Sequence, residues 1–140
     1  MVMETLYLDQ DAEVIDFLVM AQRSGDLPPP CLLVLVADDL ARLVLPIAVD
    51  EVPADPPQDE RIDALAGLFD HLADIERVHG IALAVGRPGH PNPRGGDFGW
   101  HDALVQCCRS AGLTCYGTYV ATPYGVRRVR PLLSPEVPAA

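Results

Sequence analysis

Residues 81–102 read IALAVGRPGHPNPRGGDFGWHD, and this stretch decides the fold. Ile81–Val85 is a short run without a polar residue, the pattern of a strand buried on both faces. It cannot continue past Gly86, because Pro88, Pro91 and Pro93 each lack a backbone donor and Gly89 stands between the first two. From Phe98 to Ala111 the residues Leu104, Cys107, Cys108 and Ala111 form one apolar side of a helix. Asp97 is the expected cap at its start and Gly112 its stop. A strand, a long loop and a helix, followed by a further apolar run at Leu113–Ala121, point to an α/β domain.

Working outward from this stretch, the same patterns recur. Cys31–Ala37 (CLLVLVA) is apolar throughout and reads as a second central strand. Asp38-Asp39 turns the chain into Arg42–Val49, an antiparallel strand whose Pro46 suits an edge or a bulge. Asp50–Pro57 is acidic and Pro-rich, hence a loop. Gln58–Val78 has helical period, with Ile62, Leu65, Phe69 and Leu72 on one face. Nearer the N-terminus, Asp9 is placed to cap a helix over Asp11–Arg23, with Val14, Phe17, Leu18 and Ala21 inward and Gly25 at its end. Leu6–Leu8 has the character of a short strand. Downstream, Thr122-Pro123-Tyr124-Gly125 is a turn into a last strand, Val126–Leu132, on which Arg128 and Arg130 share a face. The expected architecture is a mixed central sheet with helices on both faces, three layers in all. Its order is a β-β-α-β-α-β-β core preceded by a helix. Residues 1–133 read as one domain, and 134–140 as a flexible tail.

Charge and composition restrict the function. The net charge is −10, and no lysine occurs anywhere in the chain. Residues 1–80 hold 17 acids and four arginines, whereas residues 81–140 hold three acids and six arginines. An acidic excess of this size excludes general nucleic-acid binding, which needs a cationic footprint. Apolar residues make up 49% of the chain and the mean hydropathy is +0.17, values of a folded domain. No apolar run approaches the ~20 residues of a membrane span, and no secretory leader is visible. Cys31, Cys107, Cys108 and Cys115 lack the paired spacing of a zinc site, and they read as reduced, mostly buried thiols of a cytoplasmic protein.

The loop after Ile81–Val85 is where a site is expected. Long loops leaving buried strands are usually functional, and the carboxyl edge of the sheet is where α/β proteins bind ligands. Its candidate ligand-binding residues are Arg87, His90, Arg94, Asp97, Trp100 and His101. Arg87 directly follows the strand and is the expected anchor for a carboxylate or phosphate, which its guanidinium can grip bidentately. Trp100, the single tryptophan, is expected to plug the loop onto the core. Chemistry finds little support. There is no Gly-x-Ser-x-Gly elbow, and Gly95-Gly96 has no lysine to complete a phosphate loop. Cys107 and Cys108 lie on an apolar face. A metal site built from His90, Asp97 and His101 would require the loop to fold back on itself.

The order of elements resembles the JAB/MPN metalloprotease-like fold in its bacterial RadC-like branch, over residues 27–132. The segments that carry the resemblance are Cys31–Ala37 with Asp38, Arg42–Val49, the following helix, IALAVGRPGHPNPRGGD, and a helix ending Ser110-Ala111-Gly112-Leu113. The resemblance implies a His-x-His-Pro at the strand end, where this chain has Val85, Arg87 and Pro88. It implies a Ser and an Asp around Gly95–Phe98, where Asp97 is the one match. It implies a general-base Glu ahead of Cys31, where Asp26 is the nearest acid. The chain therefore reads as a degenerate member with the metal-binding motif absent, no cofactor and no tightly bound zinc. The leading functional expectation is a non-catalytic domain that binds a partner protein or a small anionic ligand through the loop Gly86–His101. The alternatives are a metal-dependent hydrolase on His90, Asp97 and His101, and a structural subunit that forms homo-oligomers.

Overall fold

The computed structural model describes residues 5–50, 52, 53, 55–75 and 77–130. Among them the chain runs α1 (Asp11–Arg23), β1 (Cys31–Ala37), β2 (Leu43–Asp50), α2 (Gln58–Leu72), β3 (Gly80–Gly86), α3 (Gly95–Ala111), β4 (Thr114–Thr122) and β5 (Gly125–Arg128). The five strands form one sheet in the order β2-β1-β3-β4-β5. β1 is antiparallel to both β2 and β3, β3 is parallel to β4, and β4 is antiparallel to β5. This is the mixed sheet that the sequence implies, with the two continuously apolar runs, β1 and β3, side by side near its centre.

Side-chain alternation along the strands sorts the interior into two layers. Leu32, Val34 and Val36 of β1 and Ile81, Leu83 and Val85 of β3 meet Leu65, Phe69 and Leu72 of α2 and Trp100, Leu104 and Cys108 of α3. On the other face, Leu33 and Leu35, Ala82 and Ala84, and Tyr119 meet Leu8, Val14 and Leu18 at α1. Helices therefore cover both faces, and every residue of β1 and β3 is buried. The layer with α1 is also tied by polar contacts. The Tyr119 hydroxyl donates to Asp11 Oδ1 at 2.9 Å, and Arg128 reaches the same carboxylate. Arg130, just past the end of β5, lies 3.8 Å from Asp11 Oδ2, so the two arginines converge on a single acid.

Several boundaries differ from the sequence reading. Gln10, not Asp9, stands at the cap position of α1 and makes no side-chain cap bond; Asp11 and Glu13 place negative charge in the first turn instead. α1 ends as expected: Gly25, with φ +77, sends the chain back so that Asp26 N–H donates to Ala21 O. α2 ends at Leu72, short of Val78: Ile75 stands exposed in the following loop, and Val78 packs against the core from that loop rather than from a helix. Leu6–Leu8 contributes one isolated bridge, Tyr7 to Arg42. β2 is an edge strand, which accommodates Pro46 opposite Leu35. β5 ends at Arg128, short of the expected Leu132: Val129 and Arg130 have already left the ladder, and residues 131 and 132, like the expected tail, lie outside the described residues.

The β1–β2 connection is organised by one acid. Asp38 is buried, and its carboxylate accepts the N–H of Leu40 (2.9 Å), the N–H of Arg42 (3.0 Å) and the Arg42 guanidinium Nε (2.9 Å). Burial pushes its pKa up, but the bonds from Arg42 and Leu40 outweigh it, and the carboxyl titrates below its ordinary value. A native pKa below the unfolded value of about 3.9 stabilises the fold above that pH, and the contribution is lost as pH falls through the native value. Asp38→Asn should therefore flatten the acid limb of the urea midpoint plotted against pH. Acid limbs of equal slope in the two proteins would show that Asp38 is not the group responsible.

Candidate functional site

At the carboxyl end of β3 the loop closes around Arg87. The backbone leaves the sheet with Arg87 N–H donating to Ala121 O of β4 at 3.2 Å. The side chain then turns inward. Nε donates to Asp97 at 3.1 and 3.2 Å, and Nη2 donates to Asp97 Oδ2 at 2.8 Å. Nη1 donates to the carbonyls of Pro88 (3.0 Å) and His90 (2.8 Å), and Nη2 also to that of Asn92 (2.9 Å). A guanidinium has five N–H donors, and all five are used here. The loop is thus wound around a cation, and its prolines keep it extended enough to present three carbonyls to one side chain. The expected ligand anchor is an internal organiser, because a ligand oxygen would find no donor left on it.

Asp97 completes the arrangement. It is 2% exposed, and its Oδ2 also accepts the Arg94 N–H at 2.9 Å. This places Asp97 at the third position of α3 rather than at its cap, and the helix starts three residues earlier than the sequence reading, at Gly95. Glycines are poor helix formers, and the reach-back bond from Asp97 is what holds them in the first turn. Its negative charge also sits at the positive end of the helix dipole.

A cleft of about 340 Å³ lies beside this loop. Its apolar lining is Val85, Trp100, Val52, Pro53, Pro30 and Cys31, and its polar rim is Arg94, Gly95, Gly96 and Asp55. Trp100 is 5% exposed and packs in the core beneath, so it both plugs the loop and lines the cleft. Gly86 is required where β3 ends, since a Cβ there would lie 2.5 Å from Cys31 Sγ. Burial pushes the Cys31 thiol up, aided by Asp50, so it stays protonated at neutral pH. Arg94 is exposed, and among the described residues no carboxylate pairs with it. The N–H groups of Gly95 and Gly96 likewise have no acceptor among the described residues.

Of the six expected ligand residues, the cleft brings together Arg87, Arg94, Asp97 and Trp100. His90 is exposed on the loop and contributes its carbonyl. His101 is elsewhere: its Nδ1 lies 2.9 Å from Thr118 Oγ1, tying α3 to β4. Burial lowers its pKa, with Arg128 adding to the shift and Asp102 opposing it. His90, Asp97 and His101 do not form a ligand set, and among the described residues no group of three His, Cys, Asp or Glu side chains could hold a metal ion. At the positions the JAB/MPN resemblance would give to metal ligands, Val85 is buried in β3 and Arg87 is bonded to Asp97.

The sequence reading missed Arg61 and Asp55. Arg61, on α2, is 6% exposed, with its guanidinium 5.7 Å from the centre of the Trp100 ring. It fits because α3 presents no side chain there: a Cβ on Gly99 would lie 2.8 Å from Nη1, and one on Gly96 3.1 Å from Nη2. Gln58 Nε2 donates to Gly99 O at 2.7 Å beside it. The signal in the sequence was Gly96-x-x-Gly99, one turn apart, which opens a slot on α3 for a facing helix.

The fold and this site define an open α/β domain with a cleft at its strand ends, polar and charged at the rim and apolar within. Comparison with known proteins finds no matching family model, no matching curated protein and no matching solved structure.

Arg87→Ala should lower stability by about 3–5 kcal/mol, because it leaves the Asp97 carboxylate buried without its cation. Thermal unfolding followed by circular dichroism measures this. A melting temperature equal to that of the native protein would show that Asp97 finds its bonds elsewhere.

Proposed function

We propose that this protein is a non-catalytic α/β binding domain that takes a small anionic ligand, or an acidic group of a partner protein, at the cleft formed by the loop Gly86–His101. One observation carries this reading: the cationic end of the cleft is uncommitted. Arg87 and Asp97 neutralise each other, as do Arg61 and Asp55, which leaves Arg94 as the surplus charge beside the free amides of Gly95 and Gly96. The first turn of a helix adds roughly half a positive charge at the same point. In a chain of net charge −10 such a spot is where an incoming anion is repelled least by the acidic surface and attracted most. The apolar lining favours an anion attached to a flat or aliphatic body.

The groups in the cleft suit binding rather than catalysis. Its thiol is protonated, its buried carboxylate is spent on Arg87 and the helix start, and no histidine lines it. On this reading the domain is a degenerate relative of JAB/MPN-like domains that keeps the loop and uses it to bind. A cytoplasmic setting suits its four unbridged cysteines, three of them buried.

Arg94→Ala is the test. Arg94 is exposed and makes no side-chain bond that the fold needs, so the variant should keep the native melting temperature within a degree or two. Its affinity for benzoate or inorganic phosphate, measured by calorimetry, should fall about tenfold, the value of one charge-assisted contact. Unchanged affinity would remove the cleft rim from the binding site.

A further inference from the structure

We infer that Asp55 is an internal stand-in for the ligand: its carboxylate occupies the place on the Arg61 guanidinium, beside the first turn of α3, that an incoming carboxylate or phosphate takes over. The inference rests on the cleft reading above and adds the residue that receives the anion.

The two partners of this ion pair are buried very unequally. Asp55 Oδ1 lies 2.9 Å from Arg61 Nη2, yet the Asp55 side chain is 87% exposed and that of Arg61 only 8%. Arg61 Nη1 is engaged by Gln58 Oε1 at 3.1 Å, and its Nε is buried without an acceptor among the described residues. The buried cation is therefore covered on its outward side by an acid that stands in water. Asp55 stands in the cleft wall, and Arg61 lies just behind it, against Gly96. The Cβ position of Gly96 lies 3.1 Å from Nη2 and 3.8 Å from Asp55 Oδ1. Asp55 and Gly96 both line the cleft.

Exchange at this point is easy for physical reasons. Replacing one oxyanion by another keeps the buried guanidinium paired throughout, so no uncompensated buried charge arises. Asp55 gives up one exposed contact and returns fully to water, where such pairs contribute little. A ligand oxygen on Nη2 would at the same time lie close to the free amides at the start of α3, contacts that Asp55 is not seen to make. The body of the ligand would then extend over Trp100 and Val85. The ligand class is a small molecule with a carboxylate or phosphate head on a compact apolar body.

The experiment titrates the native protein and Asp55→Asn with benzoate and with inorganic phosphate, using calorimetry and the fluorescence of the single tryptophan, Trp100. Removing the competing carboxylate should tighten binding about fivefold, the factor that corresponds to an exposed ion pair of about 1 kcal/mol. Adding Arg61→Lys should cancel that gain. Benzoate presents a carboxylate on a ring and phosphate a bare oxyanion, so the probe with the larger gain identifies the head group. Equal or weaker binding by Asp55→Asn would overturn the stand-in role; if Arg94→Ala still weakens binding, the cleft reading survives. No binding of either probe by the native protein or by Asp55→Asn would overturn both.

Discussion

The ion pair between Arg87 and Asp97 is the constraint on which the site depends. It joins the last residue leaving β3 to the first turn of α3, ten positions on, and everything between is arranged by it. The carbonyls of Pro88, His90 and Asn92 point at the guanidinium, and the amide of Arg94 points at the carboxylate. Because the cation is fully bonded within the loop, it sets the shape of the cleft without contributing a free donor to it. The surplus positive charge is displaced to Arg94, at the rim. A single buried pair thus separates the structural arginine from the one that faces solvent.

The fold was largely legible because its main strands are extreme cases. β1 and β3 are uninterrupted apolar runs with turn residues at both ends, and continuous runs of that length occur where both faces are covered. Pro46 told an edge strand from a central one through its missing donor. The errors fell where a local pattern outran its element. Ile75 and Val78 extend the apolar period of α2, but both lie in the loop beyond it, where Val78 packs against the core and Ile75 is exposed. Gly95 and Gly96 look like loop residues by propensity, and a carboxylate three residues into the helix overrides that preference.

The site was half legible. The loop, Trp100 and Arg94 were visible from composition and position, whereas the direction of each arginine was not. Arg87 and Arg94 are alike in sequence, and only three-dimensional bonding tells the inward one from the outward one. Arg61 was hidden for a related reason: a charged residue in an amphipathic helix reads as solvated. It is buried because two glycines of a helix far along the chain leave room for it. His90 and His101 looked like a pair by proximity in sequence, but a loop tip and a helix face pressed on β4 are separated by the geometry that Arg87 imposes.

The two margins of the sheet have a consequence for how the protein behaves at high concentration. An open sheet ends in strands whose outward amides and carbonyls invite another chain to add on and begin a fibre. Here one margin is β2, interrupted at its middle by Pro46, which offers no donor to a newcomer. The other is β5, only four residues long and carrying Arg127 and Arg128, so a second copy arriving there meets like charge after a very short ladder. Both margins are blunted by residues inside the strands themselves. Growth by edge-to-edge addition is therefore opposed by the same segments that complete the fold.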